Sequence, residues 1–389
     1  MNRDAVIVSA VRTAIGRQGG ALATVPAHVF GAEVVKEAIK RANVQPEMIE
    51  DVIMGNVISG GGNIARLTAL QTGLSLELPG LTIDRQCGSG INAVNLAAQA
   101  IMSGAGDIYV TGGIESMSRA PYLMDKPERP YSPVLPNFRK SQLSPKEIGD
   151  PPMGITAENL VTKYAISREE QDEFALSSQQ KMAAAMGEGR FDEQIIPISI
   201  PVRKGSPVIF KRDEHPRPQT TLDALAQLKP AFLPNGTVTA GSSSGLNDAA
   251  AALLVMSREK AQELGVRPMA VIREQAVAGV DPNLMGIGPV PAVRKVLEKS
   301  GLTLDDMDII EINEAFAAQV IACDRELKMD IEKVNVNGGA IAHGHPLGAT
   351  GAILVTKAVY ELERRGGRYA LITACIGGGQ GIATIIERE

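Results

Sequence analysis

This 389-residue sequence predicts an α/β protein of two related halves, the first carrying a loop-rich insertion. Three observations carry that prediction. Short β-branched runs alternate with amphipathic stretches along the chain. One helix–turn–strand plan occurs twice, at 35–56 and at 293–313. Glycine-rich corners fall where several apolar runs end. Composition agrees: 44% hydrophobic residues with 40 glycines, 3% aromatics and no tryptophan suit densely packed α/β layers. The length allows two domains, each with a core of its own.

The same numbers exclude other classes. Net charge is −5 and the basic residues are dispersed, so no electrostatic footprint for nucleic acid is present. Three cysteines in a chain this long make no disulfide framework and point to a reducing compartment. The first strand begins almost at once, at Ala5-Val6-Ile7-Val8, which leaves no room for a signal peptide. Apolar runs such as Ala249–Met256 are far too short to span a bilayer. A soluble, cytoplasmic protein without a metal site is expected.

The elements follow in order. The stretch 35-VKEAIKRANVQPEMIEDVIMGN-56 reads as amphipathic helix, turn, acidic cluster and strand. Next, 81-LTIDRQCGSGINAV-94 is a short strand, a cysteine in a tight glycine turn and a helix start. The run 107-DIYVTGGIES-116 is a strand entering a glycine corner. Residues 119–154 hold eight prolines and read as an extended excursion. Residues 154–191 are helical, with Ser167 and Glu170 forming a capping box. Residues 195–218 are short strands and turns, so 117–245 reads as an inserted loop domain. The turn 241-GSSSG-245 leads into 248-DAAAALLVM-256, expected as a buried helix.

The second half repeats the first. The segment 293-VRKVLEKSGLTLDDMDIIEIN-313 matches 35–56 and sets Asn313 in correspondence with Asn56. Downstream, 345-HPLGATGA-352 corresponds to 87-CGSGINAV-94, and 369-YALITACIGG-378 to 107–116. Chance accounts for one helix–turn–strand match as well as duplication does. Agreement of spacing across three elements favours duplication. The halves are expected at 1–260 and 268–389.

The repeat brings chemically capable residues to equivalent corners. Cys87 opens a helix, where unpaired N–H groups and the macrodipole favour a thiolate. His345, at the matching corner, can serve as its base. Cys375, in 373-TACIGGGQG-381, ends a strand whose following glycines allow close backbone approach to a ligand. Asn313 offers a neutral amide at another strand end. Each has a bland alternative. A lone cysteine is more often an inert small hydrophobe, as expected for Cys323, and His28 and His215 read as structural. The glycines at 377–379 lack the helix and acidic residue of a dinucleotide site. Convergence of four such residues on strand-end corners outweighs these alternatives.

Taken together, CGSG around Cys87, NEAFAAQ from Asn313, NVNGGAIAHGHPLGATGA ending at Ala352 and CIGGGQG from Cys375 resemble the thiolases. The likeness runs from 5-AVIVSAVRTAIGR-17 to the C-terminus. It implies a five-layered αβαβα fold from two duplicated halves and reversible Claisen chemistry on acyl-CoA thioesters. It implies Cys87 as acyl carrier, His345 as its base and Cys375 as the group moving the α-proton. One oxyanion hole would be His345 with a water held by Asn313; the other, the N–H groups of Cys87 and Gly377. For CoA the likeness points to Arg217 and Ser244. Met153, Phe232, Ala240, Met285, Ala315 and Phe316 would line the pantetheine and acyl channel. CoA and acyl-CoA would be substrates, with no permanently bound cofactor, and the assembly a homodimer or homotetramer. Pro152 stands where short-chain biosynthetic members often carry histidine, and 121–150 does not resemble their tetramer-forming loop. A range beyond acetoacetyl-CoA follows as an expectation. Two rivals remain: a ketoacyl-synthase-type condensing enzyme, which would lack a proton-handling second cysteine, and a non-catalytic thiolase-like lipid-binding protein, which would have lost one of Cys87, His345 or Cys375.

Overall fold

The computed structural model describes residues 3–127, 129, 131 and 137–389. Part of the proline-rich excursion expected at 119–154, namely residues 128, 130 and 132–136, lies outside the described residues. The first half contributes strands β1 (Ala5–Thr13), β2 (Asp51–Gly55), β3 (Gly80–Ile83), β4 (Ile108–Ser116) and β5 (Asn247–Ser257). The second contributes β6 (Ala270–Gly279), β7 (Ile309–Ile312), β8 (Tyr369–Ile376) and β9 (Gln380–Arg388). Their order is β7-β8-β9-β6-β1-β5-β4-β2-β3. The halves meet where β6 pairs antiparallel with β1, Val6 opposite Val271 and Ile7 opposite Ala270. The outer strands of each half pair in parallel, β2 with both β3 and β4 and β7 with β8.

Helices fill the layers between and outside these sheets. Helix α1 (Ala27–Ala42) and α2 (Ile64–Thr72) cover the outer face of the first half, with Phe30, Val34 and Ala65 packed against Val110, Leu254 and Met256. Helix α3 (Ser89–Met102) and a long helix at 347–365 share the central core with strands of both halves. On the outer face of the second half, Val293 and Val296 of a helix at 289–300 and Val320 of one at 317–327 pack on Leu371 and Ile385. The result is five layers, αβαβα. The central helix Leu347–Arg365 is buried on every side from Gly348 to Val359, which suits its nearly continuous apolar and small-residue sequence.

Residues 117–246 run between β4 and β5, which are adjacent antiparallel strands. This segment holds α4 (Met153–Tyr164) and α5 (Arg168–Gly187). At the start of α5 both arms of the capping box form: Ser167 Oγ accepts from Glu170 N–H at 3.1 Å, and Glu170 accepts from Ser167 N–H at 2.7 Å. Continuing in chain order, α6 is Pro289–Ser300, α7 is Ala317–Leu327 and α8 is Leu347–Arg365.

Two expectations are corrected. The run 248–256, expected as a helix, is the interior of β5 and fully buried. Ala250, Ala252, Leu254 and Met256 face the outer core, while Ala249, Ala251, Leu253 and Val255 face the central one. With both faces apolar the period of two is hidden, and high alanine content mimics a helix. The glycine corner expected at 107–116 is also absent, because Gly112 and Gly113 lie within β4. A Cβ on Gly113 would fall 2.0 Å from the Gly348 carbonyl oxygen, so the bare strand backbone receives the first turn of α8.

Candidate active site

The site is assembled where α3 and α8 cross. A Cβ on Gly90 would fall 2.5 Å from Ala352 N, and one on Gly351 would fall 2.2 Å from Ile91 N. The two helices therefore touch backbone to backbone at their N-terminal turns. Cys87 lies three residues before Gly90, and His345 three before Gly348. Crossing the helices there brings the segment after Cys87 against the segment after His345.

Cys87 occupies a turn two residues before α3, not the first helical position expected from the sequence. Gln86 precedes it with φ +45°, a left-handed conformation uncommon outside glycine. Asp84 Oδ1 accepts from Gln86 N–H at 2.7 Å. Ser89 Oγ accepts from Arg85 N–H at 2.8 Å and donates to the Gln86 carbonyl at 2.7 Å. These bonds hold the strained turn. The backbone N–H groups of Gly377 and of Cys87 itself lie near the sulfur and favour the thiolate. The expected thiolate is not the resting state. Burial pushes the thiol up to about 11, against those two N–H groups, and the nearby charges of Asp84 and Glu115 push the same way. Desolvation outweighs the helix start because only two amides, not a full helix terminus, reach the sulfur.

His345 is buried. Thr350 Oγ donates to the Pro346 carbonyl at 2.9 Å, so at 2.7 Å it must accept from His345 Nδ1–H. Nε2 then carries the lone pair, with the Asn313 side-chain amide 3.3 Å away. Burial pushes the imidazole down to about 4. The main chain is also held, because Asn247 Oδ1 accepts from His345 N–H at 2.9 Å. Gly344 precedes with φ +99°, and a Cβ there would fall 2.3 Å from Asn247, so only glycine allows this approach. Asn313 follows β7 directly, and its Oδ1 is buried without a donor among the described residues. Cys375, one residue from the end of β8, is fully buried beside Ala157, Val238, Met285, Ala315 and Phe316. Burial and the neighbouring Cys87 hold its thiol well above the usual range.

A cleft of about 560 Å³ leads toward this centre. Four of the residues expected at CoA line it: Arg217, Ser244, Phe232 and Ala240. The other four, Met153, Met285, Ala315 and Phe316, form the apolar wall around Cys375. The two groups join where Phe232 and Phe316 stand edge to face at 5.8 Å, and where Ser244 N–H donates to the Ala315 carbonyl at 3.0 Å. Leu246, also in the cleft, bridges to His345.

Sequence reasoning missed several supporting groups. His215, read there as structural, lines the cleft, and burial together with Arg217 and Arg17 pushes it down to about 4. Gln179 accepts from Arg217 N–H at 2.8 Å. Thr350 lies five residues beyond His345 in HPLGAT, in the first turn of α8, close enough in sequence to have been considered. Asn247 and Glu115, far away in sequence, left no such signal. Cys323 is enclosed as expected, donating to the Gly286 carbonyl at 3.3 Å.

Comparison with known proteins gives a consistent picture. The model of the thiolase N-terminal domain matches residues 5–259 and that of the thiolase C-terminal domain residues 266–388. An acetyl-CoA acetyltransferase of Cupriavidus necator is 49% identical, across 99% of this chain and 100% of that protein. The crystal structure of the Bacillus anthracis acetyl-CoA acetyltransferase superposes with a TM-score of 0.96 at 45% identity, covering 100% of both chains. Human mitochondrial 3-ketoacyl-CoA thiolase in complex with CoA gives 0.93 at 43% identity, covering 100% of this chain and 98% of that one.

Proposed function

The chain belongs to the thiolase family, and from that premise we propose that Cys87 carries the acyl group through both half-reactions on CoA thioesters. The protein is an acyltransferase catalysing reversible CoA-dependent cleavage of 3-ketoacyl-CoA and condensation of acetyl-CoA. CoA and acyl-CoA are substrates, not resident groups. The observation that carries the role of Cys87 is its place in the turn that opens α3, where that helix meets α8, with its own N–H and that of Gly377 favouring the thiolate against burial. His345 Nε2 takes the thiol proton as the sulfur attacks the thioester carbonyl, and keeps it, while CoA leaves as a thiolate and takes its proton from Cys375, which is left as the thiolate. The oxyanion of the tetrahedral intermediate is met by those two N–H groups. In the second half-reaction Cys375 takes the α-proton of acetyl-CoA, and gives it back in cleavage. The enolate oxygen is met by His345 Nε2–H and by a water held on Asn313 Oδ1, which has no donor among the described residues. A thioester on cysteine exchanges with the CoA thiol at little cost, so the two half-reactions are nearly balanced.

The cleft residues Arg217, Ser244, Phe232 and Ala240 take the CoA end, and the apolar wall of Met153, Met285, Ala315 and Phe316 takes the reactive end. We read the units as 1–260 and 268–389, with 117–245 inserted in the first, and place the enzyme in the cytoplasm; no helix among the described residues is long and apolar enough to cross a membrane. We also propose a homodimer or homotetramer. Strand β3 ends the sheet with no partner on its outer side among the described residues, and Leu67, Leu70, Leu76 and Leu81 are exposed there. Light scattering should return a multiple of the chain mass; a monomer at micromolar concentration would refute this. The decisive experiment for the reaction is incubation with acetyl-CoA followed by mass mapping of the adduct. It should fall on Cys87; an adduct on Cys323 with Cys87 free would end the assignment.

A further inference from the structure

One buried carboxylate outside the reacting groups gathers five donors. Glu115, at the end of β4, is fully buried. It accepts from the N–H groups of Val57 at 3.0 Å and Ile58 at 3.2 Å, from Ser59 Oγ at 2.5 Å and from the Asn56 amide at 3.2 Å. Across the boundary between the halves it accepts from Gly348 N–H at 2.9 Å. Burial pushes the carboxyl above its usual range, and these donors pull the other way and favour the ionised, acceptor-only form. Gly348 is in the first turn of α8, three residues past His345, where a negative charge is also favoured by the helix dipole.

The repeat gives this arrangement meaning. Glu115 corresponds to Gly377, Asn56 to Asn313 and Gly113 to Cys375. In the second half these three positions form the reacting corner. In the first half the same corner is filled by α8 itself, its Gly348 carbonyl over Gly113 and its Gly348 N–H on Glu115. The duplicated site has become the seat of the helix that carries the base.

We propose that Glu115 is a positioning residue for thiol acylation, its charge locking the first turn of α8, and with it His345, to the half that carries Cys87. It acts through Gly348 and touches no substrate. The same charge stands near Cys87 and opposes loss of the thiol proton before substrate arrives.

Two variants separate charge from reach. Glu115→Gln keeps the size and removes the charge; Glu115→Asp keeps the charge and withdraws it from Gly348. Both should slow acetylation of Cys87 by roughly ten- to a hundredfold, the effect of a displacement of an ångström or less, with KM for acetyl-CoA changed by less than about threefold. Only Glu115→Gln should also shift the pH–rate profile of Cys87 alkylation by iodoacetamide to lower pH. A residue that merely supports the fold would lower the unfolding temperature without moving that profile. Wild-type acetylation by Glu115→Gln, or an unmoved profile, overturns the proposal. Should that variant not fold, Ser59→Ala must slow acetylation severalfold, and a wild-type rate would overturn it equally. The inference rests on the pairing of Cys87 with His345 proposed above. Wild-type enzyme acetylated elsewhere would sink that pairing, whereas acetylation on Cys87 with indifferent Glu115 variants would sink only this proposal.

Discussion

At neutral pH the His345 imidazole is uncharged, because burial pushes it down to about 4. A base lowered below its ordinary value stays competent as pH falls, and is lost only when pH approaches the folded value. The acid limb of kcat/KM, measured in brief pH jumps, should therefore lie near 4 and not near 6.5. The jumps must be brief, since the unfolded imidazole takes up its proton near 6.5 and stability declines from there toward 4. A limb at 6.5 would show that substrate-free burial does not govern the base. His345→Ala should slow acyl transfer by about a hundred- to ten-thousandfold, the usual effect of removing a general base. The two cysteines should separate by role. Cys375→Ser should still be acetylated on Cys87 and still exchange that group with CoA. It should fail at carbon–carbon bond formation and at exchange of acetyl-CoA α-hydrogens with deuterium, because a hydroxyl is a far weaker acid than a thiol in the same buried place. Normal condensation by this variant would make Cys375 structural.

Two elements set the geometry that these residues share. The α3–α8 crossing depends on glycines, and a Cβ on Gly351 would lie 2.2 Å from Ile91 N, a backbone atom that cannot swing aside. Gly351→Ala should cost about 1–3 kcal/mol of stability as an overpacked contact, and should slow acylation by forcing the Cys87 and His345 corners apart. Thermal unfolding with acyl-transfer kinetics checks both, and an unchanged rate would mean that the crossing does not set the separation. The second element is the loop before α4. Asp150 Oδ1 accepts from Leu143 N–H at 3.0 Å and Ser144 N–H at 3.2 Å, and Leu143 lies against the Gly377–Gly378 turn. Pro152 caps α4 with its carbonyl alone, with no histidine to narrow the entrance. Cleavage of six- and eight-carbon 3-ketoacyl-CoA substrates should accompany that of acetoacetyl-CoA. Activity confined to the four-carbon substrate would contradict this.

At the scale of the whole molecule a buried ion pair helps anchor the inserted segment to the sheet, beside the pairing of 195–196 with β1. Arg12, on β1, donates to both Asp213 oxygens at 2.8 and 3.0 Å and to Gln194 at 2.8 Å. Both side chains are almost wholly enclosed. Arg12→Ala should cost about 3–5 kcal/mol, since Asp213 is left charged and unpaired. It should also raise KM for CoA thioesters, because 213–217 carries His215 and Arg217 into the cleft. An unfolding temperature like that of the wild type would refute the anchor. What the sequence determined by itself was local or periodic: the repeat, the glycine turns around Cys87, His345 and Cys375, the capping box at Ser167 and the candidates Cys87, His345, Asn313 and Cys375. Each is written within a few neighbouring residues, where turn chemistry and spacing act directly. Only the tertiary structure decided that 248–256 is a strand, since its two apolar faces serve two different cores. It alone decided that Cys87 rests as a thiol, because desolvation is set by what packs around the sulfur and not by the helix that follows. Asn247 and Glu115 are likewise matters of tertiary contact, meeting the His345 segment across 98 and 233 residues of chain. Contacts that distant leave no pattern in one sequence, because the physics that joins them begins only when the two halves close on each other.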